Sequence, residues 1–246
     1  MIKLCILLPT INEDRCLNVI QQLSSFLSPD IKLFVYNQCF ELPTFDNVIN
    51  LYSEIGMGTM LSGHYCIKNA PESQYYYFID DDFEFNSGFG DSIIKTIDYM
   101  EQNKICVCSI VHKKNKFFCE PNIDQRPAKI YEIPLLRKES GILIKNGVYI
   151  GSHLDVAYGE DNAILTHAYL DGYDVGISFV TNIIHHNNQM VEESWNRRSE
   201  IMYGQNYKKL QYEFYGRKGQ NLTKLAIDIH NYNYSRLNYE GCNGNK

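Results

Sequence analysis

The feature that most constrains the fold of this chain is a repeated alternation between short apolar segments and longer segments of helical period. The apolar segments predict strands over Lys3–Leu8, Ile31–Tyr36, Val48–Tyr52, Tyr75–Ile79, Ile105–Val111, Gly141–Tyr149 and Val175–Ile184. The longer segments predict helices over Glu13–Leu27, Met57–Asn69, Gly90–Gln102 and Asp161–Leu170. Such alternation is typical of an α/β domain, in which helices flank a mostly parallel central sheet.

The domain organisation follows from the length of the chain and from a change in its residue pattern toward the carboxyl terminus. The chain has 246 residues, enough for one large domain with a smaller appendage. All seven prolines lie in the first part of the chain, and from Val191 onward the sequence predicts two helices without a further strand. We therefore expect a sheet domain over residues 1–186 and a C-terminal helical extension over residues 187–246.

Composition and charge exclude several classes of protein. With 23 Lys and Arg against 29 Asp and Glu, the net charge of −6 disfavours a protein that binds nucleic acid mainly by neutralising phosphates. No segment reaches the run of about 18 apolar residues that a membrane-spanning helix needs. The eight cysteines include no C-x-x-C pair, as expected for reduced thiols. We expect a cytoplasmic protein, of a bacterium or, for a viral protein, of the host cell.

Three adjacent aspartates, Asp80, Asp81 and Asp82, follow the predicted strand Tyr75–Ile79. Carboxylates this close repel one another unless a cation or solvent screens them. Because strand side chains alternate between faces, Asp80 and Asp82 are expected on the same side. The pattern predicts half of a Mg²⁺ or Mn²⁺ site at the carboxyl end of a strand, where open α/β sheets bind ligands. The alternative is an acidic turn that caps the next helix.

A second group of candidate residues lies further along the chain. Glu160 and Asp161 open a predicted helix that Gly172 closes, although an acidic pair is also favoured there by the helix dipole alone. The last predicted strand runs directly into His185 and His186. A single imidazole is a usual completion of a carboxylate-based Mn²⁺ site. The alternative is that both histidines are ordinary exposed polar residues.

Five motifs follow one another along the chain: PTINE after the first predicted strand, the helix start GMGTMLSGHYCIKNA, FIDDD, GED, and a strand that ends in His-His. Their order resembles that of the family 2 glycosyltransferases of the GT-A fold. The match covers roughly residues 2–186, about three quarters of the chain. Each motif alone is weakly specific, and the weight of the resemblance comes from the five in order.

The resemblance implies a nucleotide-sugar donor, with a UDP-sugar foremost, a Mn²⁺ or Mg²⁺ cofactor, and inversion at the anomeric carbon. Residues implied to bind the donor are Pro9, Thr10, Asn12, Glu13, Gly58, Asp80 and Asp81. Asp80 is similar to the family residue near the ribose or a metal-bound water, and Asp82 to the direct metal ligand. His185 or His186 matches the metal histidine near the end of the family's catalytic domain.

The same resemblance implies a catalytic base. Asp161 matches the base of the family's E-D element, which leaves Glu160 as an orienting neighbour or a helix cap. A base is needed because an inverting transfer removes the proton of the acceptor hydroxyl as its oxygen attacks C1. No covalent sugar intermediate is required.

The chain also departs from the family pattern. After the second strand the family commonly has Asp-Asn-Gly-Ser, whose Asp contacts the base, whereas this chain has Tyr36 and Asn37 followed by Gln and Cys. Asn37 is therefore the candidate for a hydrogen bond to the base, and Tyr36 for stacking on it. Before the E-D element the chain has Gly-Ser-His-Leu-Asp where the family commonly has Gly-Gly-Phe-Asp, and His153 is either a site residue or a surface residue.

The predicted function is transfer of a hexosyl or pentosyl group from a nucleotide sugar to an acceptor hydroxyl on a glycan, a lipid-linked sugar or a small molecule. An alternative acceptor is a hydroxymethylated base in phage DNA, which basic residues of the excursion at residues 112–139 and of the C-terminal helices would contact. That excursion is either a binding loop or a solvated hairpin. Alternatives of other classes are a nucleotidyltransferase and a non-catalytic carbohydrate-binding protein on the same fold.

Overall fold

A computed structural model describes residues 2–10, 12–37, 40–52, 66–115, 118–120, 122–130, 132–133, 136, 139–148, 164–165, 168–169 and 171–186. Within them, the strands are β1 (Ile2–Thr10), β2 (Ile31–Asn37), β3 (Val48–Tyr52), β4 (Ser73–Phe78), β5 (Phe83–Phe85), β6 (Val107–His112), β7 (Gln125–Pro127), β8 (Ile142–Lys145), β9 (Val175–Val180) and β10 (Ile183–His185). The helices with full bounds are α1 (Glu13–Leu23) and α2 (Phe89–Asn103).

Eight strands form the central sheet in the order β3-β2-β1-β4-β8-β6-β9-β7. Strands β3, β2, β1 and β4 are parallel, as are β6 and β9, whereas β8 runs antiparallel between β4 and β6. Because β8 is antiparallel to both neighbours, β6 runs in the same direction as β4. The carboxyl ends of β1, β2, β4, β6 and β9 therefore share one edge of the sheet. This confirms the predicted mixed α/β domain with a mostly parallel sheet.

The central strand β1 shows why the sheet is covered on both faces. Its residues Leu4–Leu8 are all 0% exposed, as is usual for a parallel strand between two neighbours. Side chains of Leu4, Ile6 and Leu8 pack with the apolar faces of α1 and α2, whereas Cys5 and Leu7 pack with a second cluster on the opposite face. That second cluster includes the helical residues at 66, 164, 165 and 168. The alternating apolar residues of one strand thus supply both layers of the core.

The element bounds differ from the predicted ones at several places. The predicted strand Val175–Ile184 is two strands, because the chain turns at residues 181–182 and β10 leaves the main sheet to pair with β5. Strands β5 and β7, each three residues long, were not predicted as strands. Helix α1 ends at Leu23 instead of Leu27. The predicted helices 57–69 and 161–170 are described only in part, and the C-terminal extension 187–246 lies outside the described residues.

The described residues also bear on the expected reduced cysteines and on membrane-spanning helices. The six described cysteines are free, and four of them are buried. Burial raises the pKa of the Cys5 thiol to about 12, so it stays protonated and unreactive at neutral pH. Within the described part of the chain, no helix has the length and apolar character needed to cross a membrane.

Gly141 fixes the approach of β8 to β4 at the edge where the parallel strands end. Its φ is +105°, and a Cβ there would lie 2.2 Å from a ring carbon of Tyr77 and 2.8 Å from the backbone oxygen of Phe78. The neighbouring Ser140 is fully buried. Its carbonyl accepts a hydrogen bond from the Tyr77 hydroxyl, and its own hydroxyl donates to the Ile183 carbonyl at 3.1 Å. Residues 140–141 therefore connect β4 with β10.

We predict that Gly141→Ala lowers the free energy of unfolding by about 3 kcal/mol or more, because the methyl group adds overpacking against Tyr77 to the strain of a positive φ. Gly147→Ala is the matched control: φ is +86° there, but no atom lies within 4 Å of the added Cβ. The control should lose only about 1–2 kcal/mol. Urea unfolding followed by circular dichroism measures both. Equal losses would show that packing at Gly141 contributes nothing.

Candidate metal site

The aspartate triplet lies immediately after β4, at the shared edge of the sheet. Ile79 still pairs with β1, since its amide donates to the Leu7 carbonyl at 3.1 Å. The three aspartates then turn away from the sheet, and their side chains diverge. Asp80 and Asp82 lie on one side with His185, whereas Asp81 lies toward Thr10 at the end of β1. The predicted alternation of the carboxylates is therefore present.

Asp80, Asp82 and His185 form a group suited to hold a metal ion. One ligand atom of each residue lies within 4.8 Å of the corresponding atoms of the other two. His185 Nε2 is 3.1 Å from Asp82 Oδ1, and the two side chains are only 27% and 15% exposed. Two carboxylates and one imidazole are oxygen and nitrogen donors of the kind that Mn²⁺ accepts.

The fit to a divalent ion can be tested at Asp82. Its Oδ1 is buried and has no hydrogen-bond partner among the described residues, although His185 Nε2 lies within ion-pair distance. An unsatisfied buried carboxylate oxygen is costly unless a cation binds it. The observed 3.1 Å also matches the spacing of about 3.0 Å between adjacent ligands of an octahedral ion with bonds of about 2.1 Å. The residues present therefore fit Mn²⁺.

A two-stranded sheet holds the two ligands together. Strands β5 and β10 pair antiparallel, with His185 opposite Phe83. The His185 ring contacts the Phe83 ring edge-on at a centroid distance of 4.9 Å, and Phe83 is 1% exposed. The backbone amide of His186 donates to the Asp82 carbonyl at 3.0 Å. Asp82 and His185 are thus brought together by backbone pairing across a separation of about a hundred residues.

The structure separates the two adjacent histidines. His185 lies with the aspartates, whereas His186 is half-exposed and its Nε2 lies 2.7 Å from Glu84 Oε2. The hydrogen bond from His186 lowers the pKa of the Glu84 carboxyl. Of the two predicted metal histidines, only His185 belongs to the group with Asp80 and Asp82, because successive strand residues point in opposite directions.

Asp81 is held by the first strand and the first helix. Its Oδ2 accepts a 2.6 Å hydrogen bond from the Thr10 hydroxyl, and its Oδ1 lies 3.6 Å from Arg15 Nη1. Burial raises the pKa of the Asp81 carboxyl, Thr10 and Arg15 oppose that shift, and the neighbouring Asp82 and Asp80 add to it. This contact between the triplet and the PTINE segment was not predicted from the sequence.

The other predicted donor-binding residues of the first motif have distinct surroundings. Thr10 is 4% exposed, whereas Asn12 and Glu13 are exposed in and before the first turn of α1. Asn12 is the N-cap of that helix, and its Oδ1 accepts a 3.0 Å hydrogen bond from the Arg15 amide. Pro9 is partly exposed. The motif therefore folds as a capped strand-to-helix turn beside the aspartates.

Asn37 ends β2 at the same edge and is fully buried. Its Nδ2 donates to Asn50 Oδ1 at 2.6 Å, which leaves its own Oδ1 without a hydrogen-bond partner among the described residues. Gly58, His153, Glu160 and Asp161 lie outside the described residues.

The excursion between β6 and β8 is anchored by a buried ion pair that sequence reasoning missed. Arg126 on β7 donates two hydrogen bonds to Glu132, at 2.7 and 2.8 Å, and one to the Phe118 carbonyl at 2.8 Å. The two side chains are only 9% and 4% exposed. Glu132 also accepts from the Lys129 amide at 2.8 Å. No residue spacing in this proline-rich segment signals the pair.

Compared by sequence, the chain matches no protein-family model and no curated protein. Compared by structure, it is similar to S. aureus TarS 1–349, with a TM-score of 0.54 and 16% identity over 88% of this chain and 71% of that one. It is also similar to glucosyl-3-phosphoglycerate synthase from M. tuberculosis in complex with Mn²⁺ and UDP, with a TM-score of 0.51 and 11% identity over 84% and 80% of the two chains. GalNAc-T7 with UDP, GalNAc and Mn²⁺ is similar as well, with a TM-score of 0.50 and 12% identity over 75% of this chain and 44% of that one. The chain therefore has the GT-A fold.

We predict that His185→Gln weakens Mn²⁺ binding by more than about tenfold, because it removes an imidazole from the group. His186→Gln, the adjacent substitution of the same kind, should bind Mn²⁺ much as the unchanged protein does, since His186 contacts Glu84 instead. Isothermal titration with MnCl₂ measures both constants. Equal losses in the two variants, or no loss in His185→Gln, would contradict the assignment.

Proposed function

We propose that this chain is an inverting, metal-dependent glycosyltransferase that moves a sugar from a nucleotide-sugar donor to an acceptor hydroxyl. The observation that carries the proposal is the convergence of Asp80, Asp82 and His185 on one side of the carboxyl edge of a GT-A sheet. Donor pyrophosphates are bound beyond the carboxyl ends of strands in open α/β sheets. A divalent ion at this edge is therefore placed to meet the diphosphate.

Support for a UDP-sugar comes from the structural neighbours. A structure of S. aureus TarS is in complex with UDP-GlcNAc, and the synthase and GalNAc-T7 structures contain UDP with Mn²⁺. In this chain, Asp80, Asp82 and His185 would hold the metal ion. When bound, the ion supplies Lewis-acid stabilisation to the departing diphosphate.

The nucleotide would lie between the first two strands and the triplet. Pro9, Glu13 and Gly58 are proposed to line this pocket. Asn37 is proposed to contact the base, and its position at the end of β2, at the edge where the parallel strands end, supports that role. Asn50 would orient the amide, since it accepts from Asn37 Nδ2.

Asp161 is proposed as the catalytic base. As the acceptor hydroxyl attacks C1 of the donor sugar, the Asp161 carboxylate takes the hydroxyl proton, the bond from C1 to the diphosphate oxygen breaks, and the configuration at C1 inverts. Glu160 would orient Asp161 or the acceptor.

A glycan or small-molecule acceptor is favoured over DNA by the charge pairing in the excursion. Lys113 forms an ion pair with Asp124, and Lys129 with Glu120 at 2.8 Å. Arg126 is buried against Glu132. Because carboxylates already neutralise these three cations, little of the described positive charge in the excursion remains for a phosphate backbone.

Donor binding should raise thermal stability in a metal-dependent way. We predict that a UDP-sugar with Mn²⁺ increases the melting temperature more than a GDP-, TDP- or CDP-sugar does, and that the increase shrinks when EDTA removes the metal. A donor at about a hundred times its dissociation constant adds about 2.7 kcal/mol to the free energy of unfolding. Differential scanning fluorimetry measures the shifts. If no donor changes the melting temperature in the presence of Mn²⁺, the proposed donor site is wrong.

The proposed base is tested by an isosteric change. We predict that Asp161→Asn lowers kcat by about 10²–10⁴-fold while the dissociation constant of the UDP-sugar changes little, because the amide cannot accept the hydroxyl proton. Glu160→Gln is the control for losing one carboxylate at the same place, and it should retain more activity. Turnover of Asp161→Asn at the unchanged rate would exclude Asp161 as the base.

A further inference from the structure

We propose that Asp81 is a positioning residue that fixes the metal-binding turn through Thr10, and that it is not itself a ligand of the metal. The inference rests on the proposed metal site at Asp80, Asp82 and His185. It concerns how the turn that carries Asp80 and Asp82 is held in place.

The contact between Asp81 and Thr10 is short and partly buried. Thr10 is the last residue of β1, and Leu7 of the same strand pairs with Phe78, the last residue of β4. Ile79 continues the pairing through its amide. Thr10 and Asp81 therefore leave adjacent parallel strands side by side, and the 2.6 Å hydrogen bond closes the gap between the two turns that follow.

The direction of this hydrogen bond is set by a second one. The Asn12 amide donates to the Thr10 hydroxyl oxygen at 3.1 Å. A hydroxyl has a single hydrogen to donate, and the nearest acceptor is the Asp81 carboxylate at 2.6 Å, compared with 3.2 Å for the Asn12 carbonyl. Thr10 is 4% exposed, so little water competes for this bond. Charge-assisted hydrogen bonds of this kind are about twice as strong as neutral ones.

Positioning is needed because three adjacent carboxylates repel one another. The described contacts separate them: Thr10 and Arg15 hold Asp81 toward α1, which leaves Asp80 and Asp82 on the side of His185. Without the Thr10 bond, only the longer contact with Arg15 is described for the Asp81 side chain, and the short link from this side chain to the end of β1 is lost. The arrangement of Asp82 Oδ1 beside His185 Nε2 would then no longer be preformed.

Thr10→Val tests the inference because it removes the hydroxyl, keeps the shape and changes no charge. We expect it to raise the dissociation constant of Mn²⁺ by about tenfold or more, as the loss of groups that orient metal ligands does elsewhere. Thr10→Ser keeps the hydroxyl and should restore affinity close to that of the unchanged protein. Isothermal titration with MnCl₂ alone gives the constants, and the metal-free melting temperature of each variant shows whether the fold is intact.

A double-mutant cycle distinguishes positioning from direct ligation. If Asp81 acts through Thr10, the variant with both Thr10→Val and Asp81→Ala binds Mn²⁺ no more weakly than Asp81→Ala alone. If Asp81 is itself a ligand, Thr10→Val retains the affinity of the unchanged protein while Asp81→Ala loses it, and the inference is overturned with the metal site intact. If the unchanged protein binds no Mn²⁺, the proposed metal site fails, and the inference fails with it.

Discussion

The candidate site depends on the parallel pairing of β1 with β4. Both strands lie in the middle of the sheet, and the β1 residues from Leu4 to Leu8 are wholly buried. Because parallel strands end at the same edge, this pairing delivers Thr10 and the aspartate triplet to one place with a register fixed by the core. Slippage of β4 by one residue would exchange the side chains that pack into the two core clusters, so packing on both faces fixes the register and with it the position of the triplet.

The pairing also explains how the three like charges of the triplet are kept apart. One carboxylate, that of Asp81, is satisfied by Thr10 and lies near Arg15. Asp82 instead lies against His185, which lies on β10, about a hundred residues further along the chain. The carboxylates of Asp81 and Asp82 thus lie on opposite sides of the turn. Strand β1 holds the first through Thr10, and β10 contacts the second through His185. A metal ion would bind beside side chains that the contacts of Asp81 with Thr10 and of Asp82 with His185 hold in place.

Much of this fold could be predicted from sequence because its strands are buried parallel strands with long apolar segments. The placement of Asp80 and Asp82 on one side followed from strand alternation alone. The choice between His185 and His186 could not be made, since it depends on the pairing of two three-residue strands, β5 and β10, which lie far apart in sequence. The Arg126–Glu132 pair was missed for a related reason: it lies in an irregular segment, where no periodicity relates a residue to its partner.

That buried pair also bears on how the excursion at residues 112–139 is held against the sheet. Two buried charges stabilise a fold weakly, but Arg126 and Glu132 disfavour other conformations of the segment, because separating them leaves an uncompensated buried charge. Arg126 lies on β7, which pairs with β9, and β9 leads through the turn at residues 181–182 into β10 and His185. Strand β9 therefore pairs with the strand that carries Arg126 and leads into the strand that carries His185. Displacing β7 would therefore disturb the strand that leads to His185, so the Arg126–Glu132 pair helps to hold the metal histidine in place.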